Sequence, residues 1–128
     1  MENRHGHGEQ YKNALNDNRS FLLVLCWKSE PSKIVGNLMV VVNHKTARID
    51  NLMTSPEVRG FRLGSIILKY ALSVIDNSDI SRTILVVRPS NITAKRIYEK
   101  FGFTDTRRSA NYYHHPAEDG IYMNRVKL

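Results

Sequence analysis

Residues 83–103 read TILVVRPSNITAKRIYEKFGF, and this stretch decides the fold of the 128-residue chain. Its first part, Thr83–Arg88, is a strongly apolar run that predicts a strand, and Pro89 ends that strand. Ser90 or Asn91 can cap the helix that follows, because both side chains accept hydrogen bonds from free backbone N–H groups. The apolar residues of this helix recur on one face, and a glycine near its end suits a C-terminal cap. The face consists of Ala94, Ile97, Tyr98 and Phe101, and the glycine is Gly102.

Three strand-like segments lie upstream and lead to another helix. They are Phe21–Lys28, Lys33–Asn43 and Thr46–Thr54, and a break with Pro31 separates the first two. Short polar connectors between strands favour an antiparallel meander. The helix after the meander is predicted to bury one apolar face, since its apolar residues fall at i, i+3, i+4 and i+7. That face consists of Leu63, Ile66, Ile67, Tyr70, Ala71 and Val74.

Two more strands are expected after the second helix, around Phe103–Arg108 and Ile121–Val126. A loop rich in aromatic, histidine and acidic residues is expected to join them. Residues 1–20 read as a frayed start and a short N-terminal helix. The fold class is therefore a mixed α/β domain over residues 21–128, in which an antiparallel meander feeds a βαβ unit. The expected loop holds Tyr112, Tyr113, His114, His115, Pro116, Glu118 and Asp119.

The composition excludes several classes of protein. Lys and Arg number 19 and Asp and Glu number 12, so the net charge is +7, and it divides almost evenly between the two halves. A dedicated nucleic-acid binder concentrates its positive charge, so no nucleic-acid partner is expected, whereas a small anionic ligand fits. One cysteine cannot form an intrachain disulfide, which favours a reducing, cytoplasmic setting. The longest apolar run, Phe21–Trp27, is too short to span a membrane, and the first residues lack the apolar core of a secretory signal.

The turn between the meander and the next helix could bind an anion. Thr54–Ser65 reads TSPEVRGFRLGS, so glycines and arginines lie where a helix begins. Backbone N–H groups at a helix N-terminus lack partners within the helix and favour anions, and glycine lets a phosphate approach closely. Arg59 and Arg62 add positive charge. The segment is either a pyrophosphate cradle or a surface turn that caps the helix.

Other candidate residues also have two interpretations. Ala94 and Tyr98 share a helical face, so the small residue could leave room for a ligand beside the phenol; otherwise Tyr98 is a core aromatic. Cys26 is interpreted as a buried small hydrophobe rather than a nucleophile. No metal site is expected.

Together these motifs resemble the GNAT superfamily of acyl-CoA-dependent N-acyltransferases, from about Phe21 to the C-terminus. The pyrophosphate loop of that family reads Arg/Gln-x-x-Gly-x-Gly/Ala, and residues 59–64 read RGFRLG. Its later signature reads Asn-x-x-Ala-x-x-x-Tyr-x-x-x-Gly-Phe, and residues 91–103 supply it in full. The preceding Val-Arg-x-Ser-Asn, followed by Asn111–Tyr113 and Glu118-Asp119, looks like the branch that acetylates ribosomal proteins and other protein N-termini.

The resemblance implies a site and a co-substrate. Acetyl-CoA would be the acetyl donor, and backbone groups of Leu52, Met53 and Thr54 would hold its pantetheine arm. Asn91 would contact the donor further along, and Tyr98 would act as general acid on the departing thiolate. The loop residues Tyr112 and Tyr113 would clamp the substrate N-terminus. The pyrophosphate would be held by Arg59, Gly60, Phe61, Arg62, Leu63, Gly64 and Ser65.

Three features depart from the resembled pattern. Arg62 replaces the middle glycine of the loop, where its side chain could crowd the phosphate or pair with it. Val86 stands where the branch has a glutamate as general base, and valine accepts no proton. The short N-terminus is expected to lack the usual first strand and first helix, and in the family that first helix forms part of the acceptor site.

The function expected from the resemblance is acetyl transfer from acetyl-CoA to a protein N-terminal α-amino group, by direct attack in a ternary complex. An α-amino group has a pKa of ~7.7–8.0, so a fair fraction is already neutral and a strong base is not obligatory. Water, Asp50 or the pair His114 and His115 could relay the proton. The alternatives are a small-amine acetyltransferase, a catalytically degenerate acyl-CoA-binding subunit and a basic nucleic-acid-binding module.

Overall fold

The computed structural model describes residues 19–55 and 62–127. Over these residues the predicted order of strands and helices is confirmed, whereas the short helix expected within residues 1–20 falls almost wholly outside them and stays a prediction. The elements are β1 (Phe21–Trp27), β2 (Glu30–Asn43), β3 (Thr46–Thr54), α1 (Leu63–Asp76), β4 (Arg82–Val87), α2 (Ile92–Lys100), β5 (Thr104–His114) and β6 (Ala117–Val126).

The described strands form one six-stranded mixed sheet in the order β1-β2-β3-β4-β6-β5. The β1–β2–β3 meander is antiparallel, as predicted, and β3 and β4 are the parallel pair of the βαβ unit. Their ladder joins only Thr46–Arg48 to Arg82–Ile84. Beyond those residues the two strands separate, and the separation opens a gap in the middle of the sheet.

The core lies on the face of the sheet that both helices cover. Ala47 and Ile49 of β3 and Leu85 and Val87 of β4 point into it, together with α1 and with Tyr98 of α2. Because side chains alternate along a strand, Arg48, Asp50 and Val86 belong to the opposite face.

The buried face of α1 differs from the predicted one. Leu68, Leu72 and Ile75 are buried alongside the predicted Ile67 and Ala71. Of the other predicted core residues, Leu63 is half-buried, and Ile66, Tyr70 and Val74 are exposed by 53%, 61% and 40%. Apolar residues cover most of the circumference of this helix, so the sequence alone is compatible with either of two neighbouring buried faces. Packing against the sheet buries the face centred on Leu68.

Two strand boundaries were also predicted wrongly. β2 begins at Glu30 and includes Pro31, because a two-residue turn already pairs Trp27 with Glu30. The expected loop between the last strands is instead a long hairpin, with Tyr112, Tyr113 and His114 on β5 and Glu118 and Asp119 on β6. Its turn lies at His115-Pro116, a cis peptide bond. Because β5 is the outermost strand and almost wholly exposed, it lacks the apolar alternation that marks a strand.

Cys26 is exposed, so its interpretation as a buried hydrophobe was wrong. It lies near the end of β1, where burial falls away toward the turn. No helix in the described part of the chain is long and apolar enough to cross a membrane.

Candidate active site

A groove runs along the gap between β3 and β4 and past the N-termini of both helices. Its volume is about 640 Å³. The described residues that line it include no acidic side chain and one basic side chain, Arg62, so the groove suits a ligand that carries phosphates. The lining residues are Leu52, Met53, Thr54, Arg62, Gly64, Asn91, Thr93, Ala94, Ile97 and Tyr98.

Tyr98 lies between this groove and a second cavity of about 260 Å³, because it lines both. The ring is 7% exposed and packs edge-on against Phe103 with centroids 5.9 Å apart. Burial, and to a smaller extent the neighbouring Tyr113, raises the pKa of Tyr98 to about 12. The phenol therefore keeps its proton at neutral pH.

The smaller cavity lies at the end of β4, and polar atoms form most of its accessible surface although most of its lining residues are aliphatic. Besides the residues shared with the groove, the described lining includes no carboxylate, and the aliphatic Val86 forms part of it. Val86 Cγ1 lies so close to Gly120 that a Cβ built at position 120 would come within 2.7 Å of it. The lining residues are Ile49, Leu52, Met53, Leu85, Val86, Val87, Arg88, Asn91, Tyr98 and Tyr113.

Asn91 fixes the start of α2 at the junction of the two cavities. Its Oδ1 accepts a hydrogen bond of 3.2 Å from the backbone N–H of Ala94, so Asn91 and not Ser90 is the N-cap. Ser90 instead binds Glu118, whose carboxylate accepts from the Ser90 backbone N–H at 2.7 Å and from its hydroxyl at 2.9 Å. Tyr98 lies seven residues after this N-cap, about two turns further along the same helix. The position at which the helix begins therefore also sets the position of Tyr98.

The start of α1 presents backbone N–H groups toward the groove. Arg62, its N-cap residue, has left-handed backbone angles of φ 57° and ψ 29°, and no side chain caps the helix. Apart from its chain neighbours and the backbone of its own helix, no atom of the described residues lies within 4 Å of a Cβ added to Gly64, so these residues leave space open beside that glycine. These features fit the pyrophosphate cradle expected from the sequence. Leu63 and Ser65 follow in the first turn without lining the groove, and Arg59, Gly60 and Phe61 lie outside the described residues.

Arg88 ties the β5–β6 hairpin to the end of β4, and sequence reasoning assigned it no role. Its guanidinium lies over the Tyr113 ring, 4.0 Å from the centroid. It also donates to the carbonyl oxygens of Pro116 at 2.9 Å and His115 at 3.3 Å, and it pairs with Glu118 at 3.3 Å. The position of Arg88 in the Val-Arg-x-Ser-Asn motif was the one feature of the sequence that could have indicated a role. Its partners lie on a hairpin that the sequence did not predict.

The two tyrosines expected to clamp a substrate occupy different places. Tyr113 lines the smaller cavity, whereas Tyr112 lines neither cavity. The Tyr112 ring packs edge-on against Tyr113 and Tyr122, with centroids 4.8 Å and 6.0 Å apart. Only Tyr113 is therefore placed to touch a ligand in the smaller cavity, and Tyr112 supports it.

The candidate proton relays lie away from the two cavities. The carboxylate of Asp50 accepts from Arg48 at 3.1 Å through both Nε and Nη2, and this pairing neutralises its charge. His114 and His115 are exposed at the hairpin turn. None of these three residues lines either cavity.

Comparison with known proteins agrees with the fold. The sequence model described as the acetyltransferase (GNAT) family matches residues 2–103. This match covers most of the sequence, so the chain belongs to the GNAT family of acetyltransferases.

Individual relatives are similar at the level of sequence or fold. A Bacillus subtilis (strain 168) protein with the provisional name ribosomal protein bS18-alanine N-acetyltransferase is 36% identical over 77 residues, which are 60% of this chain and 51% of that protein. The ribosomal-protein-S18-alanine N-acetyltransferase from Escherichia coli has the same fold, with a TM-score of 0.79 and 23% identity, over 95% of this chain and 81% of that one. A GNAT family acetyltransferase from Elizabethkingia anophelis with acetyl-CoA bound gives a TM-score of 0.75 and 16% identity, over 93% and 82% of the two chains. The chain spans about half the length of the curated relatives it matches.

Proposed function

We propose that this chain transfers an acetyl group from acetyl-CoA to the α-amino group of a protein N-terminus, by direct attack in a ternary complex. The observation that carries the proposal is the position of Tyr98, which lines both the phosphate-compatible groove and the smaller cavity. A donor in the first and an acceptor in the second would meet beside its hydroxyl. The name of the Bacillus subtilis relative supports a protein N-terminus as the acceptor class.

The groove residues fit the proposed donor, which supplies an acetyl thioester when bound. The backbone of Leu52–Thr54 forms one wall beside the gap, where β3 no longer pairs with β4 and its polar groups can bind an extended amide chain. Arg62 and the first turn of α1 would hold the phosphates. Asn91 would lie between these groups and Tyr98.

The smaller cavity favours a neutral acceptor amine without a dedicated base. Its described lining contains the cationic Arg88 and no carboxylate. The ammonium form therefore finds no acidic partner in this lining and lies near a guanidinium, and both features lower the pKa of an entering amine. The amine therefore loses its proton to water before attack, which accounts for an aliphatic residue at position 86.

The Tyr98 hydroxyl acts on the leaving group. As the carbon–sulfur bond breaks, the phenol donates its hydrogen bond, and then its proton, toward the departing thiolate. A phenol with a pKa near 12 is a weak acid, but it is fully protonated when the thiolate forms. The attacking nitrogen loses its second proton to solvent as the amide forms, and the phenolate takes a proton back from solvent, so the enzyme ends in its starting state.

An acyl-CoA-binding subunit without catalysis is the second candidate, and the valine at position 86 is the observation that favours it. Thiol release from acetyl-CoA, measured with a peptide bearing a free N-terminal alanine, separates the two. We expect turnover with that peptide, none with its N-acetylated form, and less with spermidine. Calorimetric binding of acetyl-CoA without turnover of any amine would support the binding subunit, and absence of both would contradict both candidates.

The setting that we propose for this reaction is the cytoplasm. The single cysteine, Cys26, is exposed and unpaired by any disulfide, which suits a reducing compartment.

A further inference from the structure

A third cavity lies on the flank of α2, directly beside the groove described above. Its volume is about 620 Å³, and the described residues that line it are Thr93, Arg96, Ile97, Glu99 and Lys100. Thr93 and Ile97 also line the groove, so the two spaces share a wall. A ligand longer than the groove can therefore continue across this wall onto the flank of the helix.

The flank cavity carries a local excess of positive charge. Arg96 and Lys100 are four residues apart and therefore project from the same side of α2, one turn from each other. Within the described residues neither of them takes part in an ion pair. The nearby Glu99 is already engaged, since its carboxylate accepts from Lys95 at 3.1 Å, and Lys95 also pairs with Asp105 at 3.2 Å. Arg96 and Lys100 thus remain available to a ligand.

We infer that Arg96 and Lys100 bind the 3′-phosphate of coenzyme A. This inference rests on the proposed function, because it takes the groove to be the site of acetyl-CoA. A phosphate monoester carries a charge of about −1.5 to −2 at neutral pH and is bound well by an arginine fork with a lysine beside it. Arg62 at the start of α1 is the only basic residue that lines the groove itself in the described part of the chain, and the pyrophosphate would pair with it.

Calorimetric titration of the purified chain with coenzyme A and with 3′-dephospho-coenzyme A tests the inference. The unaltered chain is expected to bind coenzyme A about ten-fold more tightly, the scale of one or two charge-assisted hydrogen bonds. In the double variant Arg96→Gln, Lys100→Gln, affinity for coenzyme A should fall to that for the dephosphorylated form. Affinity for 3′-dephospho-coenzyme A should stay the same.

Lys95→Gln is the matched control, because its amine lies on the same helix but pairs with Glu99 and Asp105. It should keep the full preference for coenzyme A. Equal affinity of the unaltered chain for both ligands would overturn the inference and leave the proposed function intact. A double variant that loses affinity for both ligands equally would overturn it too. Failure of the unaltered chain to bind either ligand would overturn the inference together with the proposed function.

Discussion

The hydroxyl of Tyr113 donates a hydrogen bond of 3.3 Å to the backbone carbonyl of Val86. This bond joins the β5–β6 hairpin to β4 at the residue that replaces the expected general base. Arg88, which is stacked on the Tyr113 ring, reinforces the junction just past the end of β4. The wall of the smaller cavity is therefore built by an aromatic ring and an aliphatic side chain, and neither accepts a proton at neutral pH.

Replacing Val86 by glutamate should supply a general base. In the unaltered chain kcat/KM should rise with pH through the pKa of the acceptor amine, near 7.7–8.0, because only the neutral amine attacks. Burial raises the pKa of a carboxyl group, so a glutamate here would accept a proton near neutrality. We expect Val86→Glu to raise kcat/KM at pH 6.5 by about ten-fold or more, with little gain at pH 9.

The matched control is Val86→Gln, which has a similar length but cannot accept the proton. Its pH profile of kcat/KM should keep the shape found for the unaltered chain. An equal gain for glutamate and glutamine at pH 6.5 would show that size or polarity, and not proton transfer, caused the effect.

Tyr98→Phe should lower kcat by about 10²–10⁴ and change KM little, because the hydroxyl acts mainly in the transition state. Thermal unfolding should be almost unchanged, since the ring keeps its packing against Phe103. With a pKa near 12, the protonated phenol persists at every pH below about 11. The unaltered chain should therefore show no loss of rate from this group up to pH 10. A Phe variant as active as the parent would remove Tyr98 from the mechanism.

Arg62 combines a strained backbone with a charge, and two variants separate these properties. Left-handed angles cost a residue with a Cβ about 1–2 kcal/mol, a cost that glycine avoids. Arg62→Gly should therefore be more stable than Arg62→Ala by about 1 kcal/mol in urea unfolding. Both variants lose the guanidinium, so their affinity for acetyl-CoA should fall equally, by about ten-fold. Unchanged affinity in both would contradict a phosphate contact by Arg62.

Gly64→Ala tests the cradle at the start of α1. A methyl group here meets no described residue outside its own helix turn within 4 Å, and alanine is the better helix former, so the thermal midpoint should stay the same or rise. The same methyl group would occupy the space that a bound phosphate needs, so affinity for acetyl-CoA should fall about ten-fold. Ser73→Ala, in the last turn of the same helix, controls for helix stability alone and should leave affinity unchanged. A Gly64→Ala variant with full affinity would argue against phosphate binding at this turn.

The sequence predicts the order of elements well because helical and strand periods alternate clearly along it. The prediction fails where the apolar pattern allows two different buried faces. On α1, Tyr70 and Leu72 both belong to apolar stripes, but only Leu72 is buried. It also fails for β5, whose exposed residues include both arginines and tyrosines and carry no alternation.

The candidate site was predictable where local motifs define it and not where distant segments meet. Asn91 and Tyr98 stand on one helix, and their spacing alone places them on the same groove. The contact of Arg88 with Tyr113 depends on the register of the hairpin, which nothing in the local sequence reveals. The separate positions of Tyr112 and Tyr113 follow from the same hairpin.

The short ladder between β3 and β4 has a consequence for how two reactants can approach one another. An unbroken sheet is a barrier of hydrogen-bonded backbone that no small molecule crosses. Here that barrier stops after three pairs, at Arg48 and Ile84. A molecule arriving from the helical side and one arriving from the other side can therefore come into van der Waals contact through the opening, without either having to pass around an edge.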